Sequence, residues 1–113
     1  MPPDDLTRIR HMVEATEAAI GFIAGRRRSD LDTDLMLLLA TIKAIEVIGE
    51  AATRLSVDTR QSAPEIPWGD IIGMRNRLTH VYFDVNSDIV WRCATEELPD
   101  LLPKLKALAH PPL

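Results

Sequence analysis

Between residues 31 and 52 apolar and small side chains return at alternating steps of four and three: Leu31, Leu35, Leu38, Ile42, Ile45, Gly49 and Ala52. This spacing draws one stripe along an α-helix and would scatter over both faces of a strand, so it constrains the fold more tightly than any other feature. Aspartates at 30, 32 and 34 suit the positively polarised start of such a helix. Gly49, with Ala51 and Ala52 beside it, thins the stripe and predicts that another backbone comes close there. An earlier stripe of Leu6, Ile9, Val13, Thr16, Ile20 and Ile23 predicts a preceding helix, with Gly25 as its exit. The arginines that follow, Arg26, Arg27 and Arg28, read as a solvated turn whose charge complements the helix end.

The stretch "SVDTRQSAPEIPWGD" interrupts this pattern, because two prolines and a cluster of small polar residues forbid continuous helix. A third helix is predicted to start around Trp68, carry Ile71, Ile72, Met74 and Leu78, and end near Tyr82. "DVNSD" supplies capping residues, so Asn86 or Ser87 begins a fourth, with Trp91, Ala94, Leu98, Leu101, Leu105 and Leu108 as its stripe. Pro99 and Pro103 fall inside it and predict a bend or a break. Strand-like alternation is nearly absent. The expected fold is all-α, an up-down bundle of four to five helices, with residues 1–113 as one domain.

With 46% apolar and 27% charged residues, the balance is that of a globular chain. No apolar run approaches the ~20 residues of a membrane span, and "MPPDDLTRIR" places acids where a secretory signal carries positive charge, so a cytoplasmic location is expected. The lone Cys93 cannot form an internal disulfide and reads as a small buried hydrophobe. Three histidines without a C-x-x-C pair argue against a zinc site, and no cofactor is expected. The net charge of −4 argues against a broad nucleic-acid footprint, leaving room only for a local one.

One segment stands apart. "MRNRLTHVYF" gathers Arg75, Asn76, Arg77, His80 and Tyr82 within ten residues. On a helix Arg75 and His80 lie about 140° apart around the axis and about 7.5 Å along it. One copy would therefore hold a ligand loosely, whereas a two-fold dimer would bring two arginines and two histidines together. Arginine offers a fork of donors to anionic oxygens, and histidine exchanges a proton near neutral pH, a pairing suited to phosphodiester chemistry. The same residues also fit an ordinary helix end with cations favoured by the dipole, and Tyr82 fits a core anchor with its hydroxyl at the surface. Glu50, four residues after Glu46, is expected at the surface; turned inward, it would require Arg75 or Arg54. His11 and His110 read as surface residues.

"IPWGDIIGMRNRLTHVYFDVNSDIVW", residues 66–91, resembles the signature region of HepT-like proteins in the HEPN superfamily. The R-x4-H-x-Y motif of that family falls on Arg75, His80 and Tyr82, with Asn76 in the asparagine place; "IGEAA" at residues 48–52 and "LPDLLPKL" near the end are similar too. The resemblance implies an all-helical homodimeric ribonuclease toxin that cuts RNA without metal, its two motifs meeting in a cleft between protomers. Arg75 would stabilise the scissile phosphate, and His80 would assist 2′-hydroxyl attack or protonate the leaving oxygen. Asn76, Arg77 and Glu50 would orient neighbours or substrate. The implied partner is an MntA-type nucleotidyltransferase antitoxin that adenylylates Tyr82, alone or within a larger hetero-oligomer. The alternative is a non-catalytic helical dimer that binds such a partner or a nucleotide.

Overall fold

The computed structural model describes residues 1–78 and 86–109, with Arg75 described by its backbone alone. The described chain is helical and contains no strand: α1 (Pro3–Ile23), α2 (Asp30–Thr33), α3 (Leu35–Thr53), α4 (Val57–Gln61), α5 (Trp68–Leu78), α6 (Ser87–Arg92), a π-helical turn (Cys93–Glu97) and α7 (Leu98–Ala109). Four long rods thus carry the fold, α1, α3, α5 and the continuous run from α6 to α7, with α2 and α4 as short connectors. Among the described residues, no helix is long and apolar enough to cross a membrane.

The stripe that predicts one helix over residues 31–52 is divided in two. Asp34 leaves helical geometry at φ −117°, ψ 93°, and its carboxylate accepts the Leu37 N–H at 3.0 Å, ending α2 and capping α3. Leu35 consequently faces solvent and Leu37 turns inward in its place, while Leu31, Ile42, Ile45, Gly49 and Ala52 are buried as the stripe predicts, joined by Thr41, Ala44 and Ile48. Antiparallel pairing of α1 with α3 is visible at both ends: Arg8 Nη1 donates to the Arg54 carbonyl at 3.1 Å, and Arg26 pairs with Asp34 at 3.5 Å. Gly25 makes the turn out of α1 with φ 75°, a conformation open to glycine without a Cβ clash.

The close approach predicted at Gly49 is present. A methyl group there would meet the Ile71 carbonyl oxygen at 3.2 Å, so α5 lies directly against the backbone of α3. Gly49 and Ala52 are both buried within the chain, so the close approach that the small residues permit is made by a helix of the same copy. Ile71, Met74 and Leu78 then join Ile9, Ile45, Leu98 and Leu105 in one apolar cluster that runs through every long rod.

Neither proline breaks the last rod. Pro99 has no N–H to return, and its ring would strike the Thr95 carbonyl in a regular helix. The turn ahead of it is instead widened, with the Leu98 N–H reaching back five residues to the Cys93 carbonyl. Pro103 lies inside α7, whose apolar side continues through Leu101 and Leu105. The extra residue in the wide turn also shifts the upstream phase, so Val90 is fully buried while Trp91, expected on the inner stripe, packs against the core only in part.

The polar stretch after α3 is not wholly irregular, because Ser56 caps α4 through its hydroxyl oxygen and the Thr59 N–H at 3.2 Å. That cap is held by Asp5, only 3% exposed, which accepts the Ser56 hydroxyl and the Thr59 hydroxyl at 2.6 Å each and the Ser56 N–H at 3.3 Å. The Ser56 and Thr59 hydroxyls hold the Asp5 carboxyl below the usual aspartate range, and Arg8 at 3.7 Å adds to this. Replacing Asp5 with alanine leaves these donors without their acceptor and is expected to cost about 1–3 kcal/mol in chemical denaturation. A depressed folded-state pKa contributes stability that is complete above the unfolded value, about 3.9, and is lost as the pH falls through the lower folded value. The denaturation midpoint of wild type relative to Asp5→Asn should therefore be highest near neutrality and converge in acid.

Candidate functional site

Helix α5 carries Arg75, Asn76 and Arg77. Its start is fixed by Trp68, whose indole N–H donates to the Arg60 carbonyl at 2.9 Å and the Ala63 carbonyl at 3.1 Å. With Ile71, Met74 and Leu78 turned into the core, helical periodicity leaves Asn76 and Arg77 on the outer side, and both are exposed. Arg77 does not stand alone: its Nη2 meets Glu97 Oε1, from the π turn, at 3.2 Å. The Arg75 side chain, His80 and Tyr82 lie outside the described residues, as do His110 and the helix end expected near Tyr82.

The two feet of the segment between α5 and α6 are described, and they touch. The Asn86 N–H donates to the Leu78 carbonyl at 3.1 Å, so the end of α5 and the residue before α6 are joined directly. Asn86 also caps α6, its side-chain oxygen accepting the Asp88 and Ile89 N–H groups at 3.1 and 3.2 Å. Asp88 is gripped in turn by Arg28, whose Nε donates to Oδ1 at 2.6 Å while its Nη1 donates to Asp32 Oδ2 at 2.9 Å. The Asp88 hydrogen bond, joined by Asp32, raises the Arg28 pKa further above its ordinary value. Two of the three arginines read as a solvated turn are thus tied to carboxylates, Arg26 to Asp34 and Arg28 to Asp32 and Asp88. Sequence spacing gave no sign of Arg28–Asp88, which joins residues sixty apart.

A second feature lies on the outer face of α1 and α3. An open groove of about 670 Å³ is lined by Arg8, Lys43 and Arg54 together with Asp4, Glu46 and Glu50, with His11 among them. Glu50 and His11 are exposed, as the sequence suggests, although His11 has more polar company than its neighbours in the chain imply. Among the described lining residues acids and bases are equal in number, which makes them a poor attractor for a polyanion. Phe22 lies eighteen residues from Asp4, and Met36 eighteen from Arg54, in each case about five whole turns. They therefore continue the same face, and it becomes apolar: Leu35 is 66% exposed, Met36 82% and Leu39 54%, with Phe22 also exposed.

The family model described as "Ribonuclease HepT-like" matches residues 12–108 of this chain. Among curated proteins, the chain is 33% identical over 100 residues to "Putative RNase TTE0752" of Caldanaerobacter subterraneus subsp. tengcongensis, covering 88% of this chain and 89% of that protein. It is likewise 33% identical over 100 residues to "Probable ribonuclease HepT" of Thermococcus cleftensis, covering 88% and 91%. A third relative, "Putative RNase MJ1380" of Methanocaldococcus jannaschii, is 30% identical over 90 residues, covering 80% and 83%. No solved structure matches.

Cys93 packs behind α5, with its Sγ 3.3 Å from Met74 Sδ, and is fully buried, as its place in an apolar stripe predicts. Burial, reinforced by the charge of Glu97, pushes its thiol up to about 12, while Arg77 pulls weakly the other way. A buried protonated thiol is a poor nucleophile. Native protein should resist alkylation in mildly alkaline buffer, and denatured protein should take up one equivalent; the two rates, read by intact-mass spectrometry, are expected to differ by at least about tenfold.

Proposed function

The chain belongs to the HepT-like ribonuclease family, and from that premise we propose that it is the toxin of a toxin–antitoxin pair, an endoribonuclease that cuts RNA without a metal ion. The observation that carries this reading is the motif in its setting: Arg75, Asn76 and Arg77 on α5, then His80 and Tyr82 on a segment whose feet meet at Leu78 and Asn86. The 2′-hydroxyl oxygen attacks the adjacent phosphorus, the bond to the 5′ oxygen breaks, and the products are a 2′,3′-cyclic phosphate and a 5′-hydroxyl. Arg75 stabilises the charge that builds on the phosphoryl oxygens. His80 takes the attacking proton or supplies the leaving one, and two copies of the motif allow both tasks at once. Asn76 and Arg77, exposed on α5, and Glu50 orient substrate or neighbouring groups.

Residues 1–113 act as one unit in the cytoplasm, and two such units form the cleft. The α1–α3 face supports a location for that pairing. Its apolar end, with Leu35, Met36 and Leu39 exposed on consecutive turns, has the character of a contact surface. Its charged end holds acids and bases in equal measure, which suits a second copy of the same face about a two-fold axis. The cognate partner is an MntA-type nucleotidyltransferase that transfers AMP from ATP to the Tyr82 hydroxyl, with pyrophosphate and the phenolic proton leaving. The added negative charge and bulk at the cleft repel RNA by the same rules as phosphorylation.

Purified protein without its partner should cleave RNA in EDTA. His80→Ala should lower the rate at least about hundredfold, the usual worth of a general acid or base, with fold and oligomeric state unchanged. Equal cutting by His80→Ala would remove the histidine from the mechanism. A wild-type protein that binds the nucleotidyltransferase yet leaves RNA intact would favour the non-catalytic dimer. Met36→Glu combined with Leu39→Glu should give a folded monomer by analytical ultracentrifugation and should lose cleavage; a monomer that still cuts would refute the shared cleft.

A further inference from the structure

Arg28 has no place in the motif and sits fifty residues before it in sequence, yet it reaches the motif's anchor. A continuous chain of short contacts links them. Arg28 Nε grips Asp88 Oδ1 at 2.6 Å; the Asp88 N–H is held at 3.1 Å by the Asn86 side chain; and the Asn86 backbone N–H closes on the Leu78 carbonyl at 3.1 Å. We propose that Arg28 is a positioning residue for RNA cleavage, clamping the return foot of the segment that carries His80 and Tyr82 through its grip on Asp88. The inference rests on the ribonuclease reading above.

An isolated surface ion pair would not support this, since such pairs contribute little and are screened by solvent. Arg28 differs in two respects. Its guanidinium is shared between carboxylates of two separate elements, Asp32 in α2 and Asp88 in α6, so the pair to Asp32 already orders the side chain that reaches Asp88. The contact also falls at the first turn of α6, where Asn86 both caps the helix and bonds back to the Leu78 carbonyl. Released from Arg28, the first turn of α6 would keep its Asn86 cap but lose its lateral tie to the rest of the bundle. The bundle core does not depend on this tie, because Arg28, Asp32 and Asp88 all lie at the surface.

A direct role in holding RNA is the competing explanation, and the geometry disfavours it. Two carboxylates already occupy the guanidinium, and Asp88 would repel a phosphate brought to it. The two explanations also assign opposite signs to Asp88→Asn. If Arg28 holds RNA, removing the Asp88 charge frees the arginine and improves binding. If Arg28 clamps the segment, the same substitution releases it and lowers kcat.

The experiment uses the full chain and a defined single-stranded RNA oligonucleotide in EDTA, comparing wild type with Arg28→Ala, Asp88→Asn, the double variant and Asp32→Asn. Arg28→Ala and Asp88→Asn are each expected to lower kcat by about three- to tenfold with KM within twofold, the span of one charge-assisted hydrogen bond. The double variant should lose no more than either single one, since both act through the same contact. Asp32→Asn, which leaves the Asp88 contact in place but removes the charge that orders the arginine, should lower kcat less than either of the other single substitutions, by no more than about threefold. Additive losses, a rise in KM alone, or improved activity of Asp88→Asn would each overturn the proposal. Amide hydrogen exchange supplies a readout that does not depend on cleavage. Arg28→Ala should speed exchange at Asn86, Asp88 and Ile89 while α1 and α3 keep their protection. Unchanged exchange at those amides overturns the clamp even if the enzyme cuts RNA. A wild-type protein that cuts nothing, with exchange at those amides accelerated in the variant, removes the ribonuclease reading and leaves the clamp standing.

Discussion

The missing side chain at Gly49 is the constraint on which the rest of the structure leans. It lets the Ile71 carbonyl approach the backbone of α3, and that contact decides which side of α5 goes inward. Once Ile71, Met74 and Leu78 are buried, helical geometry alone leaves Asn76 and Arg77 facing out. The motif helix is therefore a core element on one side and a chemical surface on the other. Any bulky residue at position 49 would separate the two helices and turn both properties at once.

Charge is spent locally rather than spread. Arg8, Arg26, Arg28, Arg77, Arg92, Lys104 and Lys106 each have a carboxylate within 4.0 Å, so most lysines and arginines with described side chains answer to a neighbour. This agrees with the net charge of −4, which allows no wide positive field. A polyanion drawn to such a molecule must find a small site where anion-binding groups converge, and the motif segment is where the sequence concentrates them. The α1–α3 groove, balanced in sign, has the opposite character and favours a protein surface over a nucleic acid.

Much of this was legible in the residues. The stripes located the long helices, Gly49 announced a close approach, Asn86 marked the start of α6, and Cys93 was assigned to the core. What escaped was phase and partnership. Asp34 looked like one acid among three near a helix start, whereas its φ, ψ and its bond to Leu37 divide that helix and expose Leu35. The wide turn before Pro99 added a residue that no period of 3.6 anticipates, and so buried Val90 fully and Trp91 only in part. Arg28–Asp88, Arg77–Glu97 and Asp5–Ser56 are contacts across the fold, and nothing in one chain's spacing encodes which arginine meets which acid.

The wide turn also joins these observations. A straight helix cannot carry Pro99 and keep its ladder intact, and a broken one would free the first half of the rod from the core. The π geometry resolves the conflict by keeping the rod continuous while loosening its register for one turn. Glu97, the residue that meets Arg77, lies in that turn, and Asp88, the residue that meets Arg28, lies in the half-rod upstream of it. Both flanks of the motif segment are therefore referred to one element whose lower half, through Leu98, Leu101 and Leu105, is locked in the apolar core. Rigidity passes from that core to the motif's outgoing foot by way of Arg77 and Glu97, and to its returning foot by way of α6 and Asn86. Leu78 and Asn86, the described residues on either side, are therefore tied to the core through side chains that themselves lie at the surface, the setting that a site for a charged substrate requires.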